Sequence, residues 1–198
     1  MKNVLMTALM VVTCLALNAQ SKIRSGFGIK GGVNFARFEI KDADSDFKTL
    51  WHAGILSHLH MSDNFGIQPE LVYSRFGGER TITGVEYDDV NSYLTLPVLF
   101  QFMTSSGFRI QAGPQVGFLL KATQTANGTD KDTKDFYKKV DVGLVGGISY
   151  LTKSGLGFDA RYVYGLTDIS NREVVTPGFQ ADVKIRAIQA GLFYQFQK

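Results

Sequence analysis

From Gly26 onward the chain alternates large apolar residues with small or polar ones at a period of two. That period puts successive side chains on opposite faces of an extended strand. Eight such runs are predicted as strands, at about 26–38, 50–61, 65–76, 90–103, 108–121, 139–151, 156–167 and 183–196. One face of the first carries Phe27, Ile29, Val33 and Phe35, and one face of the second carries Trp51, Ala53, Ile55 and Leu59. The same face continues through Leu94, Leu96, Val98, Val116, Leu144, Tyr162 and Leu192 in later runs. The connections alternate between long polar segments (41–46, 77–89, 123–138, 168–182) and short turns (62–64, 104–107, 152–155).

The opposite face is made of glycine and charge: Gly28, Lys30, Gly32, Glu70, Arg109, Gly113, Gly117, Asp141, Gly143, Gly147, Gly157, Asp159 and Arg161. A soluble lipocalin-like barrel buries its large side chains and exposes its charges. Here the pattern is inverted, as it is when lipid solvates the outside of a sheet. An eight-strand barrel has an interior just wide enough for side chains. Glycines and compact ion pairs suit that space. The expected fold is therefore an all-β, eight-stranded, antiparallel up-and-down transmembrane barrel, with the last strand pairing with the first. Runs of this length suit a tilted crossing of about 9–11 residues. Short turns then face the periplasm and long loops the exterior. Phe65, Phe108, Tyr150, Tyr194 and Phe196 lie near run ends, where an aromatic girdle is expected.

Lys30, Glu70, Arg109, Asp141, Asp159 and Arg161 are expected to form an interior charge network that plugs the lumen. Such a lumen would not conduct solutes as a large porin does. Acid–base catalysis by these groups is the less favoured reading.

Composition supports this picture and adds a leader. The 198 residues suit one domain, and 21 Gly, 15 Phe and 8 Tyr against 4 Pro favour strands and turns. The net charge of +3 is dispersed, with no basic stripe for nucleic acid. Lys2, the apolar run from Val4 to Leu17 and the small residue Ala19 have the layout of a signal peptide over residues 1–19, leaving a barrel domain at 20–198. Cys14 follows Thr13 inside the apolar run, which argues against a lipoprotein site. The mature chain would then lack cysteine and disulfides.

Candidate chemistry is sparse. His52, His58 and His60 share parity on the second run, and His58 with His60 is an incomplete metal pair for which Glu70 is the candidate third ligand. Two imidazoles without an identified third ligand do not make a zinc site, and no cofactor is expected. Ser57 beside the histidines supplies no identifiable nucleophile–base set. Pro97 and Pro114 mark bulges or breaks in pairing.

Several segments resemble the PorT-like outer-membrane β-barrel family of Bacteroidetes. They are GIKGGVNFA (28–36), QPELVYSRFGG (68–78), YLTLPVLFQF (93–102), AGPQVGFLL (112–120), DVGLVGGISY (141–150), DARYVYGLTDI (159–169) and QAGLFYQF (189–196). Gln189, Gly191, Tyr194 and Phe196 also resemble the C-terminal signal read by the barrel-assembly machinery, although Gln197 and Lys198 follow the last aromatic. The resemblance implies a cell outer-membrane location. Its expected partners are outer-membrane lipid, the assembly machinery and a protein met by the external loops. The leading expectation is a non-enzymatic structural or interaction barrel. Alternatives are an accessory of protein secretion or gliding, a lipid-modifying enzyme and a soluble periplasmic binding barrel.

Overall fold

The computed structural model describes residues 25–40, 45–82, 84–171 and 182–196. The expected leader at 1–19, with Cys14, and most of the last long connection lie outside the described residues.

The described residues form nine strands: β1 (Ser25–Ile40), β2 (Asp46–His60), β3 (Phe65–Ile82), β4 (Val85–Met103), β5 (Phe108–Ala126), β6 (Thr129–Asp132), β7 (Val140–Leu151), β8 (Leu156–Gly165) and β9 (Val183–Phe196). All pair antiparallel, and the ring runs β1-β2-β3-β4-β5-β7-β8-β9. It closes where β1 pairs with β9, from Phe27↔Phe196 to Ile40↔Val183. Closure gives every barrel strand two neighbours, so no backbone edge faces hydrocarbon. β6 lies outside the ring and pairs only with the end of β5.

The faces follow the alternation. Phe27, Ile55, Phe100, Leu144 and Leu192 each expose about half or more of their surface, whereas Lys30, Glu70, Arg109, Asp159 and Arg161 are buried. Leu96 and Val116, cross-strand partners, are half-buried on the outer face. A soluble barrel would show the reverse. Aromatic rings cluster outside at the short-turn end, with Phe65–Phe102 and Tyr194–Phe196 centroids both 5.3 Å apart. Trp51 and Tyr73 (5.2 Å) flank the other end of the apolar band. Interfacial aromatics of this kind are the girdles of a membrane barrel.

The short turns explain themselves chemically. Thr104-Ser-Ser-Gly107 and Thr152-Lys-Ser-Gly155 share one construction, in which the glycine N–H donates to the threonine carbonyl at 3.1 Å and the threonine and serine hydroxyls bond at 2.8 Å. Gly107 (φ 96°) and Gly155 (φ 90°) occupy the left-handed region that side chains with a Cβ avoid.

Three expectations need correction. Segment 77–89 is not a loop, because β3 and β4 pair without interruption from Phe76↔Asn91 to Ile82↔Val85. Segment 123–138 is likewise partly a hairpin, closed by Asn127-Gly128, both with positive φ. That dipeptide is a strong two-residue hairpin signal and was readable. The alternation of the run 108–121 puts Lys121 on the inner face with Arg109 and Gly117, but register shifts between Ser92 and Tyr93, leaving Leu120 without a partner on β4 and both Leu120 and Lys121 outside. Such a bulge inserts one residue and reverses the alternation beyond it. Of the two readings of Pro97 and Pro114, the structure shows the break in pairing and no bulge. The Val98 and Leu99 pairs across to β5 are missing while the register on either side is unchanged, as expected where proline removes a donor.

Candidate functional site

The lumen is the first candidate, and three strands build its centre. Lys30 from β1, Glu70 from β3, and Asp159 and Arg161 from β8 project inward, with side chains at most 1% exposed. β3 and β8 are four strands apart in the eight-strand ring, so Glu70 and Arg161 face each other across the barrel. They meet in a two-point contact, Nη1 to Oε2 at 2.8 Å and Nη2 to Oε1 at 2.9 Å. Lys30, midway between them in the ring, contacts Glu70 and Asp159 at 3.2 Å each. Arg161 also contacts Asp159 at 3.2 Å. The Asp159 contacts are ion pairs without aligned hydrogen bonds. Two cations and two anions cancel, and paired burial is what makes charge tolerable there.

Arg109 and Asp141 stand apart from this quartet, so the six expected charges do not form one network. Arg109 is the second residue of β5, which starts at a short turn; Asp141 is the second residue of β7, which starts at a long connection. They sit at opposite ends of the barrel. Parity decides which face a side chain takes, but height along the axis comes from where its strand begins. Arg109 instead donates long bonds of 3.5 Å to Gln101 and Gln195. Asp141 is buried with Oδ1 lacking a hydrogen-bond partner.

Glutamines that sequence reasoning did not group extend the plug. Gln68 donates to Glu70 (2.7 Å), and Gln101 donates to Gln68 (3.0 Å) and Gln111 (2.8 Å). A second set joins His52 Nδ1 to Asn34 Oδ1 at 2.7 Å, with Gln189 donating to the same oxygen at 3.0 Å. Inward parity was the available signal. Inward Phe193 packs its ring over Gly157, where an added Cβ would lie 2.2 Å from Cζ. Toward the long connections the filling becomes apolar, through Phe38, Phe76, Tyr93, Ile169 and Ile185.

His58 and His60 stack edge-on with centroids 4.5 Å apart. Glu70, their expected third ligand, is engaged by Arg161, Lys30 and Gln68. Among the described residues no group of three or more His, Cys, Asp or Glu side chains could hold a metal ion. Ser57 pairs with outward Phe27, on the face opposite His58. Of the expected assembly signal, Gln189 points inward to Asn34, while Tyr194 and Phe196 lie outside on β9.

The second candidate is the rim at the long-connection end. β3, β4 and β5 contain 18, 19 and 19 residues, against 10 in β8. A crossing needs about 9–11, so roughly eight residues of each long strand continue past the bilayer, rising about 18 Å at a 45° tilt. Ion pairs brace this wall. Lys48 contacts Glu79 (2.9 Å) and Asp88 (2.6 Å), and Arg80 contacts Asp89 (3.2 Å). Beyond β8, burial pushes the Asp168 carboxyl up. The Val183 and Ser170 N–H groups, the Ser170 hydroxyl and the Lys138 ammonium outweigh that and bring it down to about 2.

A family model described as "Outer membrane protein beta-barrel domain" matches residues 18–171. Among solved structures, the chain is similar to Neisserial surface protein A at 14% identity, covering 86% of this chain and 97% of that one, with TM-score 0.59. It is also similar to Ail, the attachment invasion locus protein of Yersinia pestis, at 15% identity, covering 87% and 99%, with TM-score 0.53. No curated protein matches it in sequence.

Proposed function

Because this chain belongs to the outer membrane protein beta-barrel domain family, we propose that it acts as an interaction barrel whose working surface is the wall raised by β3, β4, β5 and β6 outside the cell. The observation that carries this reading is the contrast between the two candidate sites. The lumen is closed across its width by the Glu70–Arg161 contact. The rim beyond the bilayer is ordered, polar and asymmetric. A rigid scaffold presenting polar segments is a common way to place a binding surface. The partner is a protein or surface outside the cell. Outer-membrane lipid surrounds the barrel, and the assembly machinery reads Gln189, Gly191, Tyr194 and Phe196. The PorT-like grouping within the family rests on the order of the segments from 28–36 to 189–196. The same reading includes a leader cleaved near Ala19 and no catalytic role.

The test shortens the wall and leaves the barrel intact. Residues 79–88 are replaced by Asn-Gly between Gly78 and Asp89, which are cross-strand partners. The shortened protein should reach the outer membrane and keep heat-modifiable mobility, yet behave like a deletion strain in surface adhesion. Full restoration by the shortened form, or uptake of small sugars by liposomes holding the wild-type barrel, would overturn the proposal.

A further inference from the structure

Toward the long-connection end, the outward positions change character abruptly. The first outward position beyond the lipid-facing apolar series is Arg37 on β1, Arg75 on β3, Lys121 on β5, Lys138 just before β7 and Arg186 on β9. On β2 and β4 it is Thr49 and Ser92, and after β8 it is Asp168, which pairs with Lys138. Arg186 lies over the lipid-facing Tyr164 ring at 3.8 Å and pairs with Glu39. Arg37 lies over Phe47 at 5.1 Å. Among the described residues the other end lacks this collar: its corresponding positions include Asp63, Thr104, Ser106, Thr152 and Ser154, and Lys153 is the single Lys or Arg of the three short turns.

One sector of the collar gathers three cations. Arg75, Ser92 and Lys121 are consecutive cross-strand partners on β3, β4 and β5. The two cations are therefore separated by two strand spacings, roughly 10 Å between backbones. The bulge that turns Lys121 outward also frees the Leu120 carbonyl, and Lys134 caps it through Nζ at 2.6 Å. That bond uses one of three ammonium donors and parks a third cation beside Lys121. Among the described residues neither Arg75 nor Lys121 has an ion-pair partner. Asp132 shares the turn with Lys134 and is occupied by its backbone N–H at 2.9 Å.

We propose that Arg75, Lys121 and Lys134, ranged about the buried Ser92, bind the phosphorylated headgroup of a lipid in the outer leaflet. The cations begin directly beyond Tyr73, Leu94 and Leu120, so a phosphate held among them leaves its acyl chains against the apolar wall below. A soluble anion gains nothing from that wall. Guanidinium and ammonium groups bind phosphate through short charge-assisted bonds, and their attraction to a charged surface decays within a Debye length. The proposal rests on the outer-membrane reading with the long connections outside.

The test is native mass spectrometry of the folded full-length protein in detergent. The probes are diphosphorylated lipid A, the same lipid stripped of phosphate, and phosphatidylethanolamine. Wild type should retain the diphosphorylated lipid preferentially. Arg75→Gln and Lys121→Gln should each reduce retention about fivefold, and Lys153→Gln should not. Lys134→Gln serves if either variant loses its heat-modifiable mobility. Equal retention with and without phosphate, indifference to these substitutions, or stronger binding of a soluble sulfated oligosaccharide would each overturn the site. Failure of the wild type to insert into phospholipid vesicles would instead sink the membrane reading beneath it.

Discussion

Arg161 on β8 and Glu70 on β3 lie on diametrically opposed strands and meet at the middle of the barrel, their guanidinium and carboxylate joined at 2.8 and 2.9 Å. Residues 91 positions apart thus tie the two halves of the ring. A two-point contact fixes orientation as well as distance, so this pair acts as a cross-brace through the lumen.

Removing one end of the brace leaves buried charge uncompensated. Arg161→Ala should cost about 3–5 kcal/mol, because Glu70 stays ionic and enclosed. Replacing both, as Glu70→Leu with Arg161→Met, should recover most of that loss. Urea titration of the barrel in vesicles, followed by electrophoretic mobility, measures both. Equal losses in single and double variants would show that the brace is not a coupled unit.

The outer face is set by lipid. Leu144, 49% exposed near the middle of β7, should cost about 2–4 kcal/mol when changed to Arg. Lys138→Gln at the rim should cost less than about 1 kcal/mol. The same titration in vesicles gives the comparison, and a tolerated Leu144→Arg would contradict a hydrocarbon exterior.

Acid should loosen the rim between β8 and β9. The Asp168 carboxyl is depressed to about 2, below its unfolded value near 3.9. A depressed folded value contributes stability that is present above about pH 4 and disappears as pH falls through about 2. Amide exchange at Ser170 and Val183, whose N–H groups donate to Asp168 at 3.0 Å, should therefore accelerate across that window. Asp168→Asn should show faster exchange at neutral pH.

The turns carry a backbone requirement. Gly155→Ala and Gly107→Ala each place a Cβ in the left-handed region and should destabilise by about 1 kcal/mol or more. Gly146→Ala, in open space on the strand, should be nearly neutral. Parallel denaturation curves check the ranking.

Much of the candidate site was legible before any coordinates. Lys30, Glu70, Asp159 and Arg161 share inward parity, and a narrow lumen forces such charges to pair. The separation of Arg109 from Asp141 was not legible. Alternation says which face, whereas height depends on the offset between tilted neighbouring strands, which pairing alone decides. Lys121 shows the same limit locally. One unpaired residue at Leu120 reversed the faces beyond it, and nothing in the alternation marks where a bulge will fall.

The sequence by itself determined the architecture, because a period of two with apolar residues on one face and glycine and charge on the other has one stable solution in lipid: a closed ring with the apolar face outward. It also determined the short turns at 62–64, 104–107 and 152–155. Only the tertiary structure decided which charges meet, how far β3, β4 and β5 continue past the bilayer, and that Arg75, Lys121 and Lys134 converge on one sector of the rim. Those relations join residues distant along the chain, and they exist only once register and strand tilt have set each strand's height against its neighbours.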